Sequence, residues 1–274
     1  MSDHELVVPG ATLRYDVTGA GPVLLLMGTP MDACGFAALT PLLAEDHTVV
    51  TYDPRGIARS SVDDPAAQVT PEQVADDLSR LLAEVTDEPA GVVGSSGGAI
   101  AGLALAAAHP DQVSVLVAHE PPVIELLPDA DERRAEVHGI HEIFRRDGVW
   151  PAMGRFLEVV GIVTPTAAEG APAPAESMVR DIEFFLANLL RTVSLWRPDL
   201  DALRSSATRI VVGVGATSKG QLANRTALAL AAALGTAAVE FPGDHGGFAG
   251  EPEPFARVLR GVLTNATDQY PAVR

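Results

Sequence analysis

GVVGSSGGAI, residues 91–100, is the stretch of sequence that decides the fold. Its apolar first half has the length of a buried strand, and the small residues from Ala99 to Ala108 predict the helix that follows. Between them stands the pattern Gly-x-Ser-x-Gly, which is typical of a sharp strand-to-helix turn with a serine at its apex. The stretch therefore predicts one strand–turn–helix unit of a parallel sheet covered by helices.

Ser96 is the candidate nucleophile at this turn. It has glycine both two positions before and two positions after it, whereas Ser95 would have Val93 and Gly97 there. Side chains at those two offsets would collide with neighbouring chain in so sharp a turn. At the start of a helix, the hydroxyl also lies near free backbone N–H groups and the positive end of the helix dipole. Both would stabilise negative charge that develops during a reaction.

Strand-length apolar runs alternate with helical segments along much of the chain. The eight runs are Glu5 to Val8, Thr12 to Val17, Val23 to Met27, Thr48 to Tyr52, Gly91 to Gly94, Val113 to Ala118, Ile210 to Val214 and Ala237 to Phe241. The helical segments are Phe36 to Glu45, Pro71 to Glu84, Gly97 to Ala108, Gln221 to Leu234 and Pro254 to Leu263. This alternation predicts an α/β fold with a mostly parallel, eight-stranded sheet flanked by helices.

About 90 residues separate the run that ends at Ala118 from the run that begins at Ile210, too many for one crossover helix. Apolar residues at helical spacing from Val137 and again from Met178 predict at least two helices in this interval. We therefore expect a core domain of residues 1–120 and 206–274. A helical cap of residues 121–205 is inserted between strands six and seven. Within it, the Ala- and Pro-rich residues 163–175 predict a semi-flexible connector.

Charge and composition limit the classes of partner. The net charge of −17 disfavours nucleic acid and anionic membranes, which need a basic face, and leaves a small-molecule substrate as the expected partner. No apolar stretch approaches the roughly 20 residues that cross a bilayer, and the N-terminus has no secretory signal pattern. The single cysteine, Cys34, forms no intramolecular disulfide and is expected to be a buried small residue. The default expectation is a soluble cytoplasmic protein.

These features together resemble the α/β-hydrolase superfamily over nearly the whole chain. DPRGIARS, residues 53–60, looks like the family segment Asp-x-Arg-Gly-x-Gly-x-Ser, with Ala58 where glycine is usual. FPGDHGGF, residues 241–248, is similar to the family's late histidine loop, and the cap falls where many members carry one. The resemblance implies a serine hydrolase.

His245 is the candidate general base, because a serine hydroxyl needs a neighbouring base and a neutral imidazole suits that task at neutral pH. Its competitors lie in a tail, before a strand, at a helix end or in the cap: His4, His47, His109, His138 and His141. The two cap histidines, with Glu142 beside them, suggest a metal site, but a third well-placed ligand is missing, so a solvated helix face is the simpler interpretation and no metal is expected. His119 ends strand six, where it would orient Glu120, line the pocket or pack in the core.

The acid of the triad is expected at Glu120. Family members often carry it after strand seven, but the loop from Gly215 to Lys219 has no carboxylate. Another arrangement of the superfamily places the acid at the end of strand six, the position of Glu120. Asp244, next to His245, and a dyad with water in place of the acid are the alternatives. Without a catalytic role, Glu120 would fix the following Pro121-Pro122 entrance to the cap.

Two backbone N–H groups are expected to bind the oxyanion: that of Gly97, after the nucleophile, and that of Thr29, in the loop after strand three. Pro30 has no N–H and cannot serve, and Met27 stands where the family frequently has histidine. The remaining candidates are expected to contact substrate. They are Met27, Pro30, His119, Phe184 and Phe185.

The leading hypothesis is hydrolysis of an ester, lactone or thioester through an acyl-Ser96 intermediate, with no cofactor. Apolar cap residues suggest a small apolar substrate. A perhydrolase, acyltransferase or cyclase would use the same residues and remains an alternative, as does a small-molecule receptor that keeps the pocket for binding. Epoxide hydrolases and haloalkane dehalogenases of this fold use an aspartate nucleophile, so Ser96 argues against both.

Overall fold

One twisted sheet forms the centre of the protein, in a computed structural model that describes residues 2–162, 174–264 and 272–273. Within these residues the sheet has ten strands: β1 (Ser2–Val8), β2 (Ala11–Gly19), β3 (Val23–Thr29), β4 (Thr48–Asp53), β5 (Ser61–Val62), β6 (Ala90–Ser96), β7 (Val113–His119), β8 (Arg209–Gly215), β9 (Ala238–Phe241) and β10 (Ala272–Val273). Their spatial order is β1-β2-β4-β3-β6-β7-β8-β9-β10, with β5 beside β2.

The middle of the sheet is parallel, from β4 through β3, β6, β7 and β8 to β9, and the strands at both ends are antiparallel. All eight strands expected from the sequence are present. β5 and β10, which were not expected, have two residues each, too few for an alternating pattern to be recognised. The mostly parallel sheet flanked by helices is the fold class that the sequence predicts.

Eleven α-helices lie within the described residues: α1 (Thr40–Leu43), α2 (Pro71–Val85), α3 (Gly97–Ala108), α4 (Ala130–Asp147), α5 (Val149–Val160), α6 (Glu176–Phe184), α7 (Leu190–Ser194), α8 (Leu200–Ser205), α9 (Leu222–Leu234), α10 (Gly247–Gly250) and α11 (Pro252–Leu263). The prediction of one continuous helix from Phe36 to Glu45 is wrong. A 3₁₀ turn, Ala33–Phe36, is followed by the single turn of α1, which has a proline at its start. Pro41 cannot donate the hydrogen bond that a continuous helix would need there.

The hydrophobic core has two parts, one on each face of the sheet. Alternation along β3 sends Leu25 and Met27 to the face covered by α2, α3 and α9, and Leu24 and Leu26 to the face covered by α1 and α11. Because both faces are covered, the inner strands are apolar at almost every position. The carboxyl ends of these strands all open toward one edge, where the candidate site lies.

Helices α4 to α8 lie between β7 and β8, within residues 121–205. A π-helical turn, Phe185–Leu189, joins α6 to α7. Hydrogen bonds join this turn to the loop before α2. Val69 N–H donates to Asn188 O at 3.1 Å, and Asn188 Nδ2 donates to Pro65 O at 3.1 Å. Thr192 Oγ1 adds a bond to Val69 O at 2.5 Å. The connector expected at 163–175 lies outside the described residues except for its last two.

None of the helices described is both long enough and apolar enough to span a bilayer.

Candidate active site

Ser96 ends β6 and precedes α3, with a backbone φ of 56° that L-residues rarely adopt. The glycines around it have steric reasons. A Cβ on Gly94 would lie 2.5 Å from Gly98 O, and one on Gly98 would lie 2.4 Å from Met27 O. Both distances are far inside van der Waals contact, so neither position has space for a larger residue. The turn therefore holds Ser96 by backbone packing.

His245 follows β9, and its Nδ1 lies 2.7 Å from Oε2 of Glu120, the residue after β7. The carboxyl is completely buried, whereas the imidazole is 19% exposed. An ionised carboxylate only accepts hydrogen bonds, so Nδ1 carries the proton and Nε2 of a neutral His245 is free to act as a base. The structure thus brings together two of the three side chains expected to form a triad.

Glu120 is held at its backbone N–H and at both carboxylate oxygens. Its N–H donates to Gly213 O at 3.0 Å, its Oε1 accepts the Gly215 N–H at 2.9 Å, and the same Oε1 accepts a hydrogen bond from the Ser218 hydroxyl. Its φ of 47° is again in the left-handed region. This leaves Oε2 for His245. The loop after β8, which has no carboxylate, thus supplies donors to the carboxylate that follows β7.

Burial alone would raise the pKa of the Glu120 carboxyl. The hydrogen bond with His245, the neighbouring His119 and the bonds from Ser218 and Gly215 outweigh that cost and lower the pKa to about 2. Glu120 is therefore ionised at neutral pH despite being buried. A carboxylate in this state stabilises the positive charge that a general base gains when it accepts a proton during the reaction.

His119 does not line a cavity with Ser96; it is a core residue, which corrects one of its expected roles. Its Nδ1 lies 3.2 Å from Ser95 Oγ, while Nε2 is without a hydrogen-bond partner among the described residues. Burial, with smaller effects from neighbouring charges, lowers its pKa to about 4. The ring packs edge-on against three phenylalanines at centroid distances of 5.4–6.4 Å: Phe241, Phe248 and Phe255. His119 is thus neutral at pH 7 and sits behind His245.

Two cavities adjoin Ser96 and share four lining residues, Thr29, Ser96, Phe156 and Val160. The smaller, about 50 Å³, is lined by apolar residues of the cap and the loop after β7, including Phe185. The larger, about 640 Å³, contains both Ser96 and His245 and is also lined by Pro30. Ser96 and His245 therefore face the same space, and the expected contacts of Pro30 and Phe185 with that region agree with their positions.

Two further residues expected to contact substrate lie elsewhere. Met27 is completely buried in the core and faces Gly102 of α3. The alternation of side chains along β3 directs it to the face of the sheet that α3 covers, and not toward the site at the end of the strand. Phe184 packs over Gly56 on the other side of the cap, because neighbouring residues of a helix point about 100° apart. Phe184 and Phe185 cannot both face Ser96.

The expected oxyanion donors are adjacent. Thr29 and Ser96 are paired in the register between β3 and β6, and Gly97 begins α3. A Cβ on Gly97 would lie 2.9 Å from Thr29 O, so the two backbones are in close contact. Both residues line the smaller cavity at its Ser96 end.

DPRGIARS has a structural role around this loop. Asp53 accepts the Ala33 N–H at 3.0 Å and the Arg59 Nε–H at 2.6 Å, which ties β4 to the segment after β3. Ala58, in the usual glycine position, has a φ of 51°. Cys34, expected to be buried, is exposed because it lies in a surface 3₁₀ turn.

In the part of the chain that the structure describes, no group of three or more His, Cys, Asp or Glu side chains is placed to hold a metal ion. His138 is exposed, and His141 Nδ1 lies 3.2 Å from Leu186 O. The sequence did not single out Ser218. Its position in the loop where the family's acid usually stands is the only signal that could have found it.

A family model described as "alpha/beta hydrolase fold" matches residues 21–159. An uncharacterized hydrolase of Bacillus subtilis (strain 168), YraK, is 34% identical over 270 residues, 96% of each chain. The chain belongs to the α/β-hydrolase fold family. It is a hydrolase of this fold, and Ser96, Glu120 and His245 follow one another in the order in which α/β hydrolases carry nucleophile, acid and base.

Solved α/β hydrolases share the fold at low identity. An esterase of Thermogutta terrifontis has a TM-score of 0.74 and 20% identity, covering 97% of this chain and 100% of its own. A structure from a study of carboxylesterases of Nitrososphaera gargenis has a TM-score of 0.71 and 18% identity, covering 97% and 99%. At this level of identity, the likeness establishes the architecture.

Proposed function

We propose that this hydrolase cleaves an ester, lactone or thioester of a small apolar acid through an acyl-Ser96 intermediate. The observation that carries the proposal is the 2.7 Å contact between His245 Nδ1 and Glu120 Oε2, with His245 and Ser96 lining one cavity. A buried carboxylate that fixes a histidine beside a strained, glycine-flanked serine is the arrangement that makes a serine hydroxyl nucleophilic.

In the first half-reaction, His245 Nε2 takes the Ser96 proton while Oγ attacks the carbonyl carbon. The resulting oxyanion accepts hydrogen bonds from the backbone N–H groups of Gly97 and Thr29, the first of which also belongs to the positive end of α3. His245 then donates its proton to the leaving oxygen or sulfur. The acyl group stays on Ser96.

In the second half-reaction, water replaces the leaving group. His245 removes a proton from that water, the hydroxide attacks the acyl carbon, and Ser96 recovers its proton as the acid departs. Water can enter the larger cavity for this step, since its rim includes three exposed residues, Gly161, Ile162 and Asp244.

Labelling with a fluorophosphonate tests the nucleophile. The wild-type protein should gain one phosphonyl adduct by mass spectrometry, and Ser96→Ala should gain none and lose turnover of p-nitrophenyl esters by on the order of 10⁶-fold. Ser95→Ala is the matched control, because it removes the neighbouring hydroxyl and should still be labelled. A folded wild-type protein that is neither labelled nor active on esters, lactones or thioesters would refute the proposal.

A further inference from the structure

We propose that the enzyme is selective for short acyl groups, with a chain of about three to five carbons beyond the carbonyl, carried on a much bulkier alcohol or thiol. This inference rests on the proposed function, since it assigns the two cavities beside Ser96 to the two halves of an ester.

The position of His245 decides which cavity takes which half. His245 must donate its proton to the leaving atom, so the leaving group has to lie on the His245 side of Ser96. His245 lines the larger cavity together with Asp244 and Gly246, whereas the smaller cavity meets Ser96 on the side of Gly97. The acyl chain therefore enters the smaller cavity, and the alcohol or thiol occupies the larger one.

The smaller cavity sets the length of the acyl chain. Its volume is about 50 Å³, and none of its lining residues is exposed. A water-sized group needs roughly 10–15 Å³ of such space, so the cavity holds about three to five methyl or methylene groups. Butanoyl to hexanoyl esters fit this length.

The lining of the smaller cavity is chemically suited to a hydrocarbon chain. Val137, Ile140, Phe185, Leu190 and Val193 are all buried, and each presents only carbon and hydrogen to the cavity. A charged or strongly polar acyl chain would lose its hydration there without gaining a charged partner. The acyl group is therefore aliphatic and uncharged.

The larger cavity is more than ten times as voluminous and has a mixed lining. Met153 and Leu157 contribute apolar surface, and Gln221 and Asp244 contribute polar groups near the solvent-exposed rim. Its greater volume leaves room for a longer group than the smaller cavity accepts. Selectivity should consequently be steep for the acyl group and shallow for the leaving group.

One helix of the cap provides a matched pair of residues for a test. Val159 of α5 lines only the smaller cavity, and Leu157, two residues earlier, lines only the larger one. Both side chains are half-buried, so truncating either creates less of a void than truncating a core residue would.

The experiment measures kcat/KM for p-nitrophenyl esters from acetate to dodecanoate and for the 2-naphthyl esters of the same acids, which have a bulkier leaving group. The wild-type optimum should fall between butanoate and hexanoate, and kcat/KM should drop by at least about tenfold at decanoate. Replacing p-nitrophenol by 2-naphthol should leave the optimum acyl length where it was.

Variants at the two positions then separate the cavities. Val159→Ala should move the optimum to a longer acyl chain, and Val159→Phe should move it to acetate or propanoate. Leu157→Ala should keep the wild-type acyl optimum while changing the ratio between the two leaving groups. Fluorophosphonate labelling of each variant verifies that its site is folded.

The outcomes distinguish this inference from the proposed function. An active, labelled enzyme that prefers acetate or dodecanoate overturns the inference and leaves the acyl-serine mechanism intact. So does an acyl optimum that follows Leu157→Ala instead of the Val159 variants. A folded protein without labelling or turnover overturns the proposed function, and the inference fails with it.

Discussion

Two corners of the site hold their key residue in the same unusual backbone conformation by different means. At the elbow corner, residues 94–98, Ser96 has a φ of 56° and is held by backbone packing around two glycines. At the carboxylate corner, Glu120 has a φ of 47° and is held by donors from Gly215 and Ser218. The backbone of Ser96 is thus constrained by residues next to it in the sequence. The backbone of Glu120 is constrained by hydrogen bonds from residues about 95 positions away.

After loss of the Ser96 hydroxyl itself, removing the charge at the carboxylate corner should have the largest effect on activity. In Glu120→Gln, one of the two acceptor oxygens becomes an NH₂ group, which is a donor. This group has to face either the donors of Ser218 and Gly215 or the N–H of His245, so His245 loses its orientation. We expect kcat to fall by about 10²- to 10⁴-fold in assays with p-nitrophenyl esters.

Asp244→Asn is the control for this change, because Asp244 neighbours His245 but its Oδ1 accepts the Gly246 N–H at 2.8 Å. It should change kcat little. A large loss in Asp244→Asn together with near-normal turnover in Glu120→Gln would assign the acid to Asp244.

Filling the elbow corner should cost stability. A Cβ on Gly98 would meet the backbone at Met27 O, which cannot move aside as a flexible side chain would. We expect Gly98→Ala to lower the free energy of unfolding by about 3 kcal/mol, measured by urea denaturation.

Gly139→Ala is the matched control, since Gly139 lies within α4 with nothing within 4 Å of a new Cβ. There alanine should raise the free energy of unfolding by about 0.5–1 kcal/mol through its helix propensity. Equal effects at both positions would show that the elbow is not sterically locked.

His119 connects the two corners, as it is bonded to Ser95 and precedes Glu120. Its pKa is about 4 in the fold and 6.5 as an ordinary side chain, so between these values the unfolded chain binds a proton that the folded one does not. Stability must therefore decrease as the pH falls from 6.5 to 4, by about 3 kcal/mol from this group.

His119→Asn removes this titration, and its free energy of unfolding should depend less steeply on pH across that window than that of the wild-type protein. Urea denaturation at pH 7, 5.5 and 4.5 checks this. Parallel pH profiles for the two proteins would contradict a buried, neutral His119.

The smallest effect is expected for Ser218→Ala, which weakens the carboxylate corner without removing its charge. With one donor fewer, the pKa of Glu120 rises from about 2. Because the Glu120 pKa is lower in the fold than in the unfolded chain, the ionised carboxyl stabilises the fold above pH 4.5, and this stabilisation is lost as the pH falls toward 2. In the variant the difference between the two pKa values is smaller, so the protein should unfold in acid at a higher pH. The free energy of unfolding at pH 7 should decrease by about 1–3 kcal/mol.

Thr217→Ala, at an exposed position of the same loop, is the control and should match the wild-type acid transition. An unchanged transition in Ser218→Ala would mean that Gly215 N–H and His245 alone hold Glu120.

The same contrast explains what the sequence could predict. The order of strands and helices and the place of Ser96 follow from periodicity and from glycine spacing, which are local. Glu120 was predicted as the acid because the loop after β8 lacks a carboxylate, but Ser218, which donates to Glu120 from that loop, was not singled out. The directions of Met27 and Phe184 could not be predicted, since they depend on the register of β3 and on which side of a cap helix faces the core.

The π-helical turn Phe185–Leu189 determines which side chains of α6 face the smaller cavity. Because α6 and α7 run on from its two ends, the turn fixes the angle by which one helix is rotated about its axis relative to the other. A chain one residue shorter in this turn would carry the same side chains with α6 rotated by about 100°. Phe184, now over Gly56, would take the direction that Phe185 now has toward the smaller cavity, and Phe185 would turn away from it. A single deletion in this turn would thus reshape the smaller cavity by changing which side chain lines it, with no substitution in the chain.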